Sequence, residues 1–173
     1  MILTGIKLMC RPQKIISIAV DQAYNSNINI RHGAVITKGN KIICKGCNTS
    51  RTQIKSLNNL ELCSHAEMNV ARMLYNTYIF KKERSKNSKH PKKVNLKKYI
   101  IWVARISHGN QGDVLYSAPC SKCVQSIKRM GFQKIGFSLS NNETRVVNIH
   151  DFSNDHLSLA QQDLEKFLGF VVS

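Results

Sequence analysis

A chain of 173 residues with 42% hydrophobic content can bury one ordinary core, which excludes a mostly disordered protein. It holds no run approaching the roughly 20 continuous apolar residues of a membrane span. Its formal charge of +16, from 26 Lys and Arg against 10 Asp and Glu, favours polyanionic partners or anionic substrates and is silent on fold. The opening stretch, Met1 to Arg11, has an apolar run broken by Lys7 and no small-residue cleavage site, so it reads as mature protein and the expected compartment is cytoplasmic.

Pro12 suits a first helical turn, and Ile15, Ile16, Ala19 and Ala23 recur at helical spacing, which predicts a helix from about Pro12 to Asn25. Ala34 to Thr37 and Lys41 to Cys44 are short β-prone runs around Lys38-Gly39-Asn40 and read as a hairpin. Asn48 to Leu62 is polar and weakly patterned, as in a loop. Ser64 opens a second helix with Met68, Ala71, Leu74 and Tyr75 along one side. The nearly continuous apolar run Tyr99 to Ala104 predicts a strand buried on both faces. Ser117-Ala118-Pro119 starts a third helix, which Gly131 ends. Lys134 to Leu139 and Val146 to Ile149 read as strands, and Leu157 to Leu168 as a closing helix. An initial hairpin followed by alternating helix and strand implies a mixed sheet between helices.

The charge is unevenly spread. Between Lys81 and Lys98 eight Lys and one Arg face one Glu, a net of +8, which is half of the whole excess. This segment reads as an exposed basic insertion, at about residues 81–98, in a single domain spanning 1–173. As a surface it suits RNA or single-stranded DNA; as a solvated loop it needs no partner. From Asn141 to Ser173 five acids face two bases.

Six cysteines in a core-rich chain of this length point to thiols or metal ligands, not to a disulfide scaffold. Four lie in two Cys-x-x-Cys pairs, Cys44/Cys47 and Cys120/Cys123. His65-Ala66-Glu67 and Pro119-Cys120-Ser121-Lys122-Cys123 each fall at a predicted helix start. A Cys-x-x-Cys in a first helical turn points two sulfurs toward one place, and a histidine from another helix start completes a three-ligand Zn2+ site. Helix N-termini also favour thiolates. Three protein ligands leave the fourth tetrahedral position for water, whose pKa the metal lowers toward neutrality. Glu67, two residues beyond His65, can stand beside that water and move its proton without binding the metal.

His-x-Glu followed by Pro-Cys-x-x-Cys is the signature of zinc deaminases. His65-Ala66-Glu67-Met68-Asn69 and Ala118-Pro119-Cys120-Ser121-Lys122-Cys123 resemble the two zinc motifs of the cytidine and deoxycytidylate deaminase superfamily. Gly33-Ala34-Val35-Ile36 with Gly46-Cys47-Asn48 resembles its first hairpin, and Gly131 to Ile135 its turn into the next strand. The resemblance runs from about Pro12 to Ser140. It implies a three-layer α/β/α fold on a five-stranded mixed sheet, often assembled into homo-oligomers. It implies His65, Cys120 and Cys123 as zinc ligands and Glu67 as the catalytic proton shuttle. Asn48 matches an asparagine that contacts sugar or base, and the backbone around Ala66 and Ser117 matches positions that orient the base.

Plainer readings compete. Ser64-x-x-Glu67 is also a capping box, but a cap does not call for Pro-Cys-x-x-Cys downstream. Cys44, Cys47, Cys120 and Cys123 would make a closed, non-catalytic zinc site, yet the 73 residues from Cys47 to Cys120 far exceed ribbon spacing. Asn48 is an ordinary turn residue as well, and Cys10 and Cys63 read as free thiols. On substrate, His-Ala-Glu departs from the Cys-Ala-Glu of free-cytidine enzymes, and Asn69 brings the motif closer to the deoxycytidylate enzymes. The tRNA adenosine deaminases commonly carry Glu where this chain has Ala118. The resemblance therefore favours a pyrimidine nucleotide, dCMP first, with a base in tRNA or a single strand as the alternative.

Overall fold

Helix α1 (Arg11–Ala23) opens the computed structural model, which describes residues 11–50, 53–54, 59–60, 65–80, 95–108, 112–140 and 143–156. Its buried residues are Ile15, Ile16, Ala19 and Ala23, the face the spacing marks out. It stops two residues short of Asn25 because Asn25 and Ser26 turn back onto the carbonyls of Gln22 and Ala23. Strands β1 (Arg31–Lys38) and β2 (Lys41–Cys47) form the antiparallel hairpin, with a register shift between Ile36 and Thr37. Two-residue strands β3 (Gln53–Ile54) and β4 (Asn59–Leu60) pair within the stretch expected to be loop.

Helix α2 (Ala66–Leu74) begins with His65 as its N-cap and passes into a π-helical turn, Tyr75–Phe80. The wider turn rotates Tyr75 away from the buried line of Met68, Ala71 and Leu74, so Tyr75 is 47% exposed. After a short 3-10 turn at Leu96–Lys98 come β5 (Tyr99–Ile106), β6 (Val114–Leu115), α3 (Ser121–Met130), β7 (Lys134–Ser138) and β8 (Thr144–Asn148). Helix α3 starts at Ser121 and not at Ser117. Pro119 disfavours a helical Ala118, and Ser117 is tied to β7. Gly131, at φ 92, ends the helix in the left-handed region.

The main sheet has the order β2-β1-β5-β7-β8 and a sixth strand, β6, where the sequence predicts five in all. β1 runs antiparallel to β2 and β5, and β5 parallel to β7 through the α3 crossover. β1 covers one whole edge of β5, from Arg31 opposite Ile106 to Lys38 opposite Tyr99. β6 therefore takes the other edge, past the point where β7 pairs with Val103. Two residues after Gly112-Asp113 show no alternation, which is why β6 escapes a sequence reading.

Side chains alternate across the strands and separate two cores. Ala34, Ile36, Ile101, Val103, Ile135 and Phe137 pack with Met68, Val70, Leu74, Val124 and Ile127 from α2 and α3. Val35, Trp102 and Ala104 pack with Ile15, Ile16 and Ala19 of α1. The architecture is a three-layer α/β/α sandwich. Gly33 sets the spacing of the α1 layer, since a Cβ there would collide with the Ala19 carbonyl oxygen.

Beyond β8 the chain lies back against α3. The Phe152 ring sits 5.6 Å from that of Phe137, and Lys128 Nζ donates to the Phe152 carbonyl at 3.1 Å. Asn154 Nδ2 donates to the Pro119 carbonyl at 2.9 Å, and Ser121 N to the His156 carbonyl at 3.0 Å. Among the described residues no helix is long and apolar enough to cross a membrane. The expected helix at Leu157 to Leu168, Cys10, Cys63, Ser64 and most of the basic segment lie outside the described residues.

Candidate active site

Two helix starts converge on the face of the sheet that carries α2 and α3. His65 and Cys120 are both N-cap residues with extended backbones (ψ 149 and 163), and neither uses its side chain to cap. Each side chain is thereby left for other chemistry. Cys123 follows in the first turn of α3. His65 Nδ1 lies 3.2 Å from Cys123 Sγ and 3.5 Å from Cys120 Sγ. The three donor atoms all fall within 4.8 Å of one another. A tetrahedral zinc ion with bonds of about 2.0–2.3 Å holds its ligand atoms roughly 3.3–3.8 Å apart. One imidazole nitrogen and two thiols at this spacing suit Zn2+ in size and softness.

The thiols are electrostatically unequal. A hydrogen bond from Cys123 draws Cys120 down to about 4, with His65 helping. That bond, with burial behind it, pushes Cys123 well above the ordinary thiol range. Among the described residues no other His, Cys, Asp or Glu joins this group. Cys44 points elsewhere: its Sγ donates to the Val70 carbonyl at 3.5 Å, and burial pushes its thiol up to about 11. The closed four-cysteine site is therefore not formed.

Glu67, the second residue of α2, is 4% exposed and hydrogen-bonded to Cys123. Burial raises its carboxyl pKa, and the His65 charge pulls part of that shift back. With His65 at the N-cap, Glu67 is not in the position a Ser64 capping box requires. Its carboxyl lies against the ligand trio instead.

The remaining expected positions are Asn48, Ser117 and Ala66. Asn48, 5% exposed, acts as a bracket: its Oδ1 accepts from His32 N (2.9 Å) and Ser26 Oγ (2.7 Å), and its Nδ2 donates to the Ile30 carbonyl at 2.6 Å. Ser117 is also built into the frame. Its hydroxyl donates to the Val103 carbonyl at 2.8 Å and accepts from Ser138 N at 3.0 Å, while its N–H donates to the Ser138 carbonyl. Ala66 is the first helical residue of α2, where backbone N–H groups lack intrahelical partners.

Three nearby residues carry no sequence signal that singles them out. Ser138 locks Ser117, with its own Oγ donating to the Leu115 carbonyl at 2.6 Å. His32 and Arg105 face each other across β1 and β5. Burial first, and the Arg105 charge second, lower the His32 pKa to about 4. The charges of His65 and Cys120 also act on His32, the first lowering and the second raising its pKa. The one available hint was a lone Arg in the apolar run from Tyr99 to Ile106.

A cytidine deaminase from Burkholderia pseudomallei is similar in structure at a TM-score of 0.48 and 21% identity, over 86% of this chain and 100% of that one. A dCMP deaminase from the cyanophage S-TIM5 gives 0.45 and 16% in its apo form, over 77% and 87% of the two chains. The same enzyme in complex with dCMP and dUMP gives 0.38 and 15%, over 71% and 74%. No curated protein matches the sequence. The sequence profile of the cytidine and deoxycytidylate deaminase zinc-binding region matches residues 9–139. With both zinc motifs inside that match and their side chains gathered at one point, the chain belongs to the cytidine and deoxycytidylate deaminase family.

Proposed function

We propose that this protein hydrolyses the amino group from a cytosine nucleotide, dCMP to dUMP in the first instance. The observation that carries the reading is a buried carboxyl, Glu67, against a three-ligand nitrogen and sulfur cluster. His65, Cys120 and Cys123 would hold a zinc ion, which would supply the Lewis acidity that makes water nucleophilic at neutral pH. Glu67 takes the proton of the attacking water and delivers it to the ring nitrogen. It then carries the remaining proton of the added hydroxyl to the departing amine, so that a carbonyl oxygen replaces the amino group and ammonia leaves. A carboxyl with a raised pKa suits both halves of that transfer.

Three groups position the base in this reading. The Ala66 N–H points from the start of α2, Ser117 offers its carbonyl once its hydroxyl and N–H are committed, and Asn48 has a second amide hydrogen. His-Ala-Glu-x-Asn supports the deoxycytidylate substrate. A second reading, deamination of a base in tRNA or a single strand, draws on the net +8 of residues 81–98. Homo-oligomerisation and a cytoplasmic setting belong to the first reading.

The test is ammonia release by the zinc-loaded protein from dCMP, CMP, deoxycytidine, guanine and unmodified tRNA. Turnover of dCMP that Glu67→Ala lowers by at least about 100-fold, with zinc retained, is the expected result. Activity on tRNA alone would replace the first reading with the second.

A further inference from the structure

The His32 and Arg105 pair is the last rung of the sheet face that carries the zinc motifs. Ala34 pairs with Val103, and two residues further along each strand His32 pairs with Arg105. Side chains two apart share a face, so both lie on the side of α2 and α3. They stand at the carboxyl end of β5, where open α/β sheets place their ligands. Asn48 fixes the backbone here by accepting from His32 N through Oδ1, while its own N–H donates to the His32 carbonyl at 3.0 Å.

Arg105 is partly buried, and its Nε is fully shielded with no hydrogen-bond partner. No carboxylate pairs with it among the described residues. A shielded guanidinium N–H without a partner is costly, and a fork of N–H donors is the shape that phosphate oxygens match. The imidazole beside it is neutral at physiological pH. It therefore adds a hydrogen-bond donor without adding charge repulsion. His32 also lies within the electrostatic reach of both Arg105 and the ligand trio. Ala34 and Val103, the rung before it on the same face, pack in one cluster with Cys120 and Cys123.

We propose that Arg105, assisted by His32, forms the anion subsite that binds the phosphate of the substrate nucleotide and sets the preference for nucleotide over nucleoside. This rests on the deaminase reading of the same centre. The subsite belongs to residues brought together by strand register and is separate from the basic segment at 81–98.

The test compares zinc-loaded wild type with Arg105→Gln and Arg105→Lys. Binding of dUMP and deoxyuridine is measured by calorimetry, and kcat/KM for dCMP and deoxycytidine by ammonia release. The subsite predicts that Arg105→Gln weakens dUMP binding by about 10- to 100-fold and narrows the nucleotide-to-nucleoside ratio by a similar factor. Arg105→Lys, which keeps the charge without the fork, should recover part of the loss. Equal losses for nucleotide and nucleoside in both variants, with zinc content intact, would overturn the assignment. So would weakened binding of a short dC-containing oligodeoxynucleotide with dUMP unaffected, since the anion read would then be a phosphodiester. A wild type inactive on every cytosine substrate would defeat the deaminase reading itself, whereas an active one with an unaltered ratio in Arg105→Gln defeats only the subsite.

Discussion

Lowering the pH should destabilise this protein through His32. The folded pKa of His32 is about 4, against an ordinary 6.5, through burial and the facing Arg105 charge. Between those values the unfolded chain holds more protons than the native one, so stability falls as pH falls through the window. Each pKa unit is worth about 1.4 kcal/mol, and linkage gives a loss of about 2 kcal/mol between pH 7 and pH 5. The limiting loss, reached below pH 4, is about 3.4 kcal/mol. The assay is urea unfolding of zinc-supplemented wild type and His32→Gln at half-unit steps from pH 7.5 to 5. Protonation of the metal ligands acts on both proteins and drops out of their difference. That difference should move by about 2 kcal/mol in favour of the variant as the pH drops. A flat difference across the window would show that His32 titrates normally and would refute the account of its burial.

Cys120→Ser should lose zinc by more than the roughly 10- to 100-fold that a change outside the ligand set produces. A chelator should lower the thermal midpoint of the wild type and leave that of Cys120→Ser where it was, as read by calorimetry with metal analysis. Ser117→Ala removes the donor to the Val103 carbonyl and the acceptor for buried Ser138 N. It should cost about 1–3 kcal/mol in urea unfolding, and an unchanged midpoint would mean that the hydroxyl is not structural.

The cluster of His65, Cys120 and Cys123 was legible because the residues of each half lie close together in sequence. Two residues separate Cys120 from Cys123 and one separates His65 from Glu67, so a helix start brings each set together whatever surrounds it. The α1 face and β5 were legible for a related reason, since burial imposes a period on Ile15, Ile16, Ala19 and Ala23 and a continuous apolar run on Tyr99 to Ala104. Helix starts were less so. Both N-caps proved to be metal-ligand candidates, His65 and Cys120, where propensity alone prefers serine. Asn48 and Ser117 were singled out by resemblance alone, and their hydrogen bonds to His32 and Ser138 depend on strand register. Arg105 and His32 lie 73 positions apart, and only the β1–β5 pairing makes them neighbours. No local pattern encodes that meeting.

The return of the chain after β8 has a practical corollary for anyone cutting this protein down to a portable catalytic unit. The family profile ends at residue 139, yet Asn154 holds the Pro119 carbonyl and the His156 carbonyl receives the first N–H of α3. Those two bonds flank Cys120 on either side. A truncation at the profile boundary would unclamp Cys120, strip Phe152 from Phe137 and leave Lys128 without its carbonyl. The smallest transplantable module therefore extends at least to His156, and its metal content is a convenient gauge of whether the graft kept its clasp.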